Sequence, residues 1–338
     1  MTAAVAPEAP RSEAAAWLVS RRFDLLFFGL PAALGLALVP LGPVLAPSGQ
    51  TPFPMWIAAV LAVDVAHVWA TLYRTYLDRR EWGRRGGLLL GVPLLTFLGA
   101  WGLASQSLHL FWRVLAYVAV HHFVRQQDGW VKLLHRRDPE LGGLDRGLDR
   151  AAVYASTLYP VIWWHAHLPR GFEWFLQGDF VAGLPPSVPS VLFPFYVAIL
   201  AAFGARHALR AGRGEGRPGV VLVVGTTALC WGVGILVTNT DWAFTVTNVL
   251  IHGVPYFGFV WVTTRRSEPP AGTLLAWLAA RAWAFYLLLL VLAGAEELGW
   301  ELSSETAWVA GATALLSVPQ TTHYVLDGVI WRRRPAKP

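Results

Sequence analysis

The hydrophobic and polar positions along the chain form long apolar runs separated by short polar loops. A helix needs about 20 predominantly apolar residues to cross the hydrocarbon core of a bilayer. The sequence contains ten runs of roughly that length, at 23–46, 53–77, 87–105, 107–134, 151–168, 188–209, 219–238, 242–263, 273–293 and 306–330. This pattern predicts an all-α, polytopic integral membrane protein, a bundle of about ten transmembrane helices.

Basic residues are concentrated in alternate loops. The N-terminal segment and every second loop carry Arg clusters, at 11–22, 79–85, 136–150, 206–217, 265–266 and 332–334. The intervening loops near 48, 106, 238 and 295 contain no Lys or Arg, and Arg170 is the one exception to the alternation. Because cytoplasmic loops are enriched in basic residues, the alternation predicts ten crossings with both termini in the cytoplasm.

The composition agrees with a membrane protein. Apolar side chains make up 55% of the 338 residues, charged side chains 14%, and the mean hydropathy is +0.46, whereas soluble domains carry about 25% charged residues. The net charge of +6 resides in loops between apolar runs, so we expect the lipid bilayer as a partner and no nucleic acid. The single cysteine, Cys230, excludes an intramolecular disulfide and a cysteine-based metal cluster.

The distribution of apolar runs predicts one folded domain. We expect a disordered lead-in over 1–22, a single transmembrane helical domain over 23–331, and a basic cytoplasmic tail over 332–338. The uncharged run of 22 residues at 25–46 is longer than the apolar core of a typical signal peptide. Helical bundles are typical of inner membranes, since outer membranes usually contain barrels, so the predicted location is the inner membrane as a multi-pass protein.

Strongly polar side chains interrupt four of the predicted spans, all even-numbered. An ionisable side chain at mid-bilayer costs about 2.5–3.5 kcal/mol on insertion scales, so each one requires a partner or a function. The second, fourth, eighth and tenth spans carry these residues: Asp64 and His67; His121, His122, Gln126 and Asp128; Asn248 and His252; and Gln320, His323, Tyr324 and Asp327.

The depth of the histidines matches between spans. Measured to the inner basic clusters, at Arg79, Arg136, Arg265 and Arg332, the offsets of His67, His122, His252 and His323 are 12, 14, 13 and nine residues. At 1.5 Å per residue this is roughly 14–21 Å. Helix tilt can absorb that spread. The four parallel helices are therefore predicted to present imidazoles in one layer, which indicates a shared metal or cofactor site.

Spacing within each helix predicts the supporting residues. Pairs three or four positions apart share a helix face, and a metal-bound His usually donates its second ring N–H to an oxygen acceptor. The predicted metal ligands are His67, His121, His122, His252, His323, Asp64 and Asp327, with His122 facing the site more squarely than His121. Gln126, Asn248 and Gln320 are predicted to hydrogen-bond to these ligands.

A donor set of imidazoles and carboxylates without a thiolate suits iron, zinc, copper or manganese. His-rich sets of this kind are typical of non-haem iron. A site buried in hydrocarbon implies a lipid-soluble substrate, for which oxidation is the reaction that most needs a metal. We therefore expect Fe(II) and an oxygenase acting on a lipid-soluble substrate made mostly of C–H and C=C bonds. Tyr324 and Asp327 are the predicted catalytic residues, with Tyr324 as a proton or electron donor.

The four isolated intramembrane histidines, two of them with a carboxylate one turn away in DVAHVW and HYVLDG, resemble those of the Brp/Blh-type membrane carotene-cleaving dioxygenases. The resemblance is confined to His67, His122, His252, His323 and their neighbours. It implies iron held by histidines and oxidative cleavage of a carotene to retinal.

Two other functions use the same residues. Buried His and Asp can bind and release ions or protons in a transporter, and Pro255 and Pro319 interrupt the helices near His252 and His323 as in carriers with broken helices. Axial histidine pairs can also hold haem in an electron-transfer protein. Gly-rich nucleotide motifs, a nucleophile elbow and an HExxH motif are missing from the sequence.

Overall fold

The computed structural model describes residues 16–139, 141–303 and 308–331, and within these ranges the chain is helical without a strand. We number the helices of the described chain in order: α1 Arg21–Leu45, α2 Phe53–Arg74, α3 Arg79–Gln106, α4 Leu108–His135, α5 Gly143–Ala166, α6 Ser187–Gly212, α7 Pro218–Val237, α8 Asp241–Arg266, α9 Leu274–Ala280, α10 Ala282–Ser303, α11 Val309–Leu316 and α12 Val318–Ile330.

Seven helices of the described residues are long and apolar enough to cross a membrane: α1, α2, α3, α6, α7, α8 and α10. This is the architecture of a multi-pass membrane protein. Helices α4 and α5 have 28 and 24 residues, but their polar and charged side chains leave no stretch as apolar as those of the seven. Helices α11 and α12 divide the tenth predicted span at Ser317. The total of ten crossings therefore stays a prediction.

The outer surface of the bundle is apolar. Only 11% of the apolar window of α6 is buried, and large side chains such as Leu95 and Phe195 are 69% and 63% exposed. Apolar side chains on this scale are stable at a surface only where hydrocarbon replaces water. In contrast, 83% of the α8 window is buried, so α8 is enclosed by the other helices.

The Arg-rich loops meet at one end of the bundle, which we call the basic face. Side chains from one loop bind the backbone or carboxylates of another there: Arg80 to the Ser267 carbonyl (3.0 Å), Arg206 to Asp145 (2.7 Å), Arg137 to the Leu18 carbonyl (2.8 Å) and Arg136 to the Trp331 carbonyl (2.7 Å). Both ends of the described chain, near Leu18 and Trp331, therefore lie at this face.

The other loops meet at the opposite end, which we call the acidic face. The backbone N–H of Thr51 donates to the Asp241 carboxylate (2.9 Å), and that of Gly171 donates to the Asn239 side chain (2.8 Å). The alternation of loops that the Arg pattern predicts is thus present in the fold. Which face is cytoplasmic stays a prediction.

Local polar residues determine several helix starts. The side chains of Ser20, Asp78, Ser107 and Thr240 each accept a hydrogen bond from a backbone N–H in the first helical turn, and such caps satisfy donors that have no partner inside the helix. Helix α3 begins eight residues before the predicted span and bends at Arg85 (φ −141°).

The ends of the predicted ninth span differ from the structure. That span is divided at Arg281 into α9 and α10, and α10 continues to Ser303. Glu296 and Glu297, which the sequence places in a polar loop, therefore lie on a helix.

The structure describes the last seven residues of the predicted N-terminal lead-in, 16–22. Trp17 and Leu18 are buried, and the backbone N–H groups of Leu18 and Val19 donate to the Asp24 carboxylate at 2.5 and 3.1 Å. Residues 16–19 therefore pack against the bundle, whereas residues 20–22 are exposed or begin α1 at the surface. The remainder of the predicted disordered segment, 1–15, and the predicted basic tail, 332–338, lie outside the described residues.

Candidate metal centre

Four histidines from four helices meet inside the bundle. Each is at most 4% exposed: His67 on α2, His122 on α4, His252 on α8 and His323 on α12. The His67 ring centroid lies 4.5 Å from that of His252 and 4.9 Å from that of His323. The His122 centroid lies 4.6 Å from His323 and 5.2 Å from His252. The residues that the depth argument assigns to one layer thus form one group, which we call the histidine cluster.

Hydrogen bonds on one side of two rings orient the nitrogens on the other side. Nδ1 of His67 donates to the backbone carbonyl of Asp64, and Nδ1 of His323 lies 2.7 Å from Oγ1 of Thr71. Nε2 of His323 lies 3.1 Å from Nε2 of His122. Two nitrogens on one tetrahedral metal ion, each about 2.0–2.1 Å from it, are roughly 3.3 Å apart. The two Nε2 atoms therefore have the spacing of ligands that share an ion.

Two overlapping sets of side chains can hold a metal ion. One ligand atom from each of His67, His122 and His323 lies within 4.8 Å of the others, and the same holds for Asp64, His67 and His252. Because His67 belongs to both sets, the five side chains form a continuous group of donors. The chemistry of the group, imidazole with one carboxylate, suits a transition metal.

Several donor atoms of the group have no hydrogen-bond partner among the described residues. These atoms are Nε2 of His67, both ring nitrogens of His252 and Oδ1 of Asp64. A buried polar atom without a partner costs about 1–3 kcal/mol. A bound cation would compensate this cost at the buried rings, so these donor atoms fit a metal ion, whose identity stays a prediction.

Aromatic rings restrict the orientation of the cluster. The Phe123 ring stacks on His252 at 3.4 Å and 11°, and the Tyr324 ring stacks on His122 at 4.5 Å and 26°. Tyr256 meets the rings of His67 and His323 edge to face. Rings packed in this way cannot rotate freely, so the donor atoms are held in place before an ion binds.

The structure separates two predicted ligands from the cluster. His121 is exposed and faces the cavity that opens at the basic face. Asp327 lines the same cavity, and its Oδ1 accepts a hydrogen bond from Nε1 of Trp331 (2.6 Å). Neither belongs to the two sets of described side chains that have metal-site spacing.

The predicted supporting amides do not hydrogen-bond to the histidines. Asn248 donates to the Phe244 carbonyl (3.1 Å) and to Thr247 (3.0 Å), and Gln320 donates to the Tyr324 hydroxyl (2.7 Å). Gln126 is buried, and its side-chain amide has no partner among the described residues. For Asn248 the cause is local, since it lies in a π-helical turn, Thr245–Val249. A wider turn changes the angle between positions four residues apart.

Sequence reasoning missed two residues that contact the cluster, Thr71 and Tyr256. Their hydroxyl groups lie 3.2 Å apart, and Thr71 also contacts His323. Each lies four residues after a cluster histidine, His67 or His252, so the i, i+4 rule applied towards the C-terminus identifies both.

Two cavities reach the cluster from opposite faces. The acidic cavity, of about 560 Å³, opens at the acidic face and reaches His67, Asn248 and Tyr324. The basic cavity, of about 530 Å³, opens at the basic face and reaches His122 and Tyr324. Arg125 and Lys132 line the basic cavity, and both pair with Asp128, at 2.8 and 2.6 Å.

A third cavity reaches the cluster from the side of the bundle. This lateral cavity, of about 500 Å³, ends at Thr71 and His323 and is bordered mainly by apolar side chains. Leu315 on its border is 62% exposed on the apolar surface. The cavity therefore connects the histidine cluster with the part of the surface that faces hydrocarbon.

No protein-family model, no curated protein and no solved structure matches the chain.

Proposed function

We propose that the protein is a membrane-embedded metalloenzyme, a non-haem iron oxygenase that acts on a lipid-soluble substrate. One observation carries this proposal: four buried histidines from four helices meet in one cluster, in which ring nitrogens of His67 and His252 have no hydrogen-bond partner among the described residues. Nε2 atoms of His67, His122 and His323, one ring nitrogen of His252 and the Asp64 carboxylate would hold the ion. Iron in such a thiolate-free site supplies oxidation chemistry with O2 as co-substrate.

The lateral cavity supports the substrate class. Its lining includes Val68, Leu72, Leu292, Leu316 and Pro319, and it ends at His323. An apolar molecule that enters this cavity directly from the bilayer does not pass through water. Its apolar surface is therefore never hydrated, which would be unfavourable. The resemblance of the histidine motifs to carotene-cleaving dioxygenases makes a carotenoid the first substrate to assay, followed by sterols, quinones and acyl chains.

Tyr324 is the proposed proton donor. Its ring stacks on His122, and its hydroxyl accepts a hydrogen bond from Gln320, which leaves the phenolic proton free for a substrate oxygen. Tyr324 also lines both the acidic and the basic cavity, so a proton that it loses can be replaced through water.

Metal analysis by mass spectrometry, with a visible spectrum, tests the metal centre on protein purified in detergent without chelator. We expect about one iron per chain and no Soret band. His67→Ala, His252→Ala and His323→Ala should each reduce iron to background. His165→Ala is the matched control, because His165 hydrogen-bonds to the Val161 carbonyl (2.7 Å) and to Tyr117 (2.9 Å), away from the cluster.

Retention of iron by all three cluster variants would contradict the shared metal site, and a Soret band would assign the histidines to haem. If iron is present, O2 consumption with β-carotene and the other lipids tests the reaction. Iron without O2 consumption on any of these substrates would contradict the oxygenase.

A second candidate is a proton- or ion-coupled transporter. The observation that favours it is the pair of cavities that approach Tyr324 from opposite faces, because a carrier needs access to one site from both sides. In proteoliposomes, a transporter would show pH-dependent flux that His67→Ala and His323→Ala abolish, with metal content at background.

A further inference from the structure

The acidic cavity combines negative charge with a direct path to the histidine cluster. Five carboxylates line it and no Lys or Arg does: Asp64, Glu173, Asp241, Glu296 and Glu297. The two Arg residues near this face bind backbone carbonyls instead, Arg113 that of Gly178 (2.9 Å) and Arg170 that of Ile235 (3.0 Å). The carboxylates are therefore not neutralised by basic side chains that share the cavity.

The charge at the mouth of the cavity is concentrated. Burial raises the pKa of Glu173, and the neighbouring carboxylates of Asp179 and Asp241 raise it further. Asp179 is held by backbone N–H groups of Phe175 (2.7 Å) and Trp174 (3.1 Å). Like charges brought together in this way lower the energy of a cation at the mouth.

The inner end of the cavity offers donors that lack partners. His67 and Asn248 both line it and are 2% and 1% exposed. Nε2 of His67 and Oδ1 of Asn248 have no hydrogen-bond partner among the described residues. Asp64 lies beside His67 and also has an oxygen without a partner. Oxygen and nitrogen donors thus continue from the mouth to the cluster.

We infer that the acidic cavity is the path by which a divalent transition-metal cation reaches the histidine cluster from the acidic face. The inference rests on the proposed function, since it assumes that the cluster binds a metal. Carboxylates at the mouth attract and concentrate the hydrated cation, Asp64 and Asn248 replace water ligands along the path, and the four imidazoles bind the ion at its end. The basic cavity has three cationic side chains and one carboxylate, that of Asp327, on its lining, so it favours the same ion less.

The rate of metal uptake tests this path separately from the final amount bound. The full-length protein in detergent is stripped with chelator and mixed with Co(II), whose visible absorbance reports binding to imidazole. We expect Glu173→Gln combined with Glu297→Gln to slow uptake about tenfold at low ionic strength. The final amount of bound Co(II) should equal that of the unmodified protein, because neither residue belongs to the cluster.

Two controls complete the test. Glu268→Gln removes an exposed carboxylate just after the C-terminal end of α8, away from the acidic cavity, and should leave the uptake rate unchanged. High salt should remove most of the difference in rate between the unmodified protein and the double variant. Glu297→Lys should slow uptake more than Glu297→Gln.

Equal uptake rates in the unmodified protein and the double variant would overturn the inference while leaving the metal centre intact, and so would equal slowing in Glu268→Gln. If the unmodified protein binds no Co(II), or if His67→Ala binds it equally well, the proposed function fails and the inference fails with it.

Discussion

At the scale of single residues, Thr71 connects the backbone of α2 to a cluster histidine. Its hydroxyl lies 2.7 Å from Nδ1 of His323 and 3.2 Å from the hydroxyl of Tyr256. A polar partner on the far nitrogen determines which ring nitrogen keeps its lone pair for the metal. When the Thr71 hydroxyl accepts from Nδ1–H of His323, Nε2 keeps its lone pair for a metal ion, and this is the role that we expect of Thr71.

We expect Thr71→Val to weaken metal binding about 10- to 100-fold, because His323 loses the group that orients it. Val has a similar volume, so packing should be preserved. The measurement is a competition titration of Co(II) or Fe(II) against a chelator of known affinity. Thr71→Ser restores the hydroxyl and should return most of the affinity; equal affinities of the Val variant and the unmodified protein would rule out this role for Thr71.

The sequence was sufficient to identify His67, His122, His252 and His323 because a histidine in an apolar run is costly and therefore conspicuous. Thr71 and Tyr256 were missed because both residue types are common in membrane helices and carry no such signal. The separation of His121 and Asp327 from the cluster depends on helix rotation, which spacing within one helix does not specify.

At the scale of helices, the contact between α2 and α8 determines the distance between His67 and His252. Gly253 follows His252, and a Cβ atom on it would lie 2.7 Å from both the carbonyl oxygen and Cγ1 of Val63 on α2. Real Cβ atoms essentially never approach so closely. The missing side chain at Gly253 therefore allows the two helices to approach.

We expect Gly253→Ala to separate α2 from α8, with a cost of about 1–3 kcal/mol from overpacking and a loss of metal affinity. Thermal unfolding in detergent and the chelator titration measure the two effects. Gly225→Ala on α7 is the matched control, because a Cβ atom there meets nothing within 4 Å. Equal affinity and stability in the two variants would contradict the role of this contact.

Hydropathy located the helices but could not resolve their internal geometry. The π-helical turn Trp56–Val65 in α2 is mostly apolar, whereas Thr245–Val249 in α8 contains two Thr and one Asn. Such turns depend on packing between helices, which a single sequence does not display. The break at Arg281 falls at a charged residue within the ninth predicted span, and the break at Ser317 lies two residues before Pro319.

At the scale of the whole molecule, the two faces differ in charge, and the positive-inside rule assigns the basic face to the cytoplasm. Cys230 is buried and is the single cysteine of the sequence. In a Cys230→Ala background, an engineered cysteine is therefore the one thiol that a reagent can label. Leu144 at the basic face is 93% exposed, and Gln177 in the loop at the other face is also exposed.

In intact cells, a thiol reagent that cannot cross the membrane should label Gln177→Cys and not Leu144→Cys. Permeabilised cells should show labelling of both, which controls for expression and reactivity. Labelling of Leu144→Cys alone in intact cells would reverse the predicted orientation, and labelling of both would contradict a membrane between the two faces.

The lateral cavity has a consequence for how any activity would be measured. A substrate that arrives through the side of the bundle is drawn from the bilayer, so the bilayer acts as its reservoir and the aqueous concentration has little meaning. The apparent KM should then follow the mole fraction of substrate in lipid or detergent. Adding empty micelles at constant total substrate should lower the mole fraction of substrate in the detergent. The rate should then fall, although the added micelles contain no inhibitor.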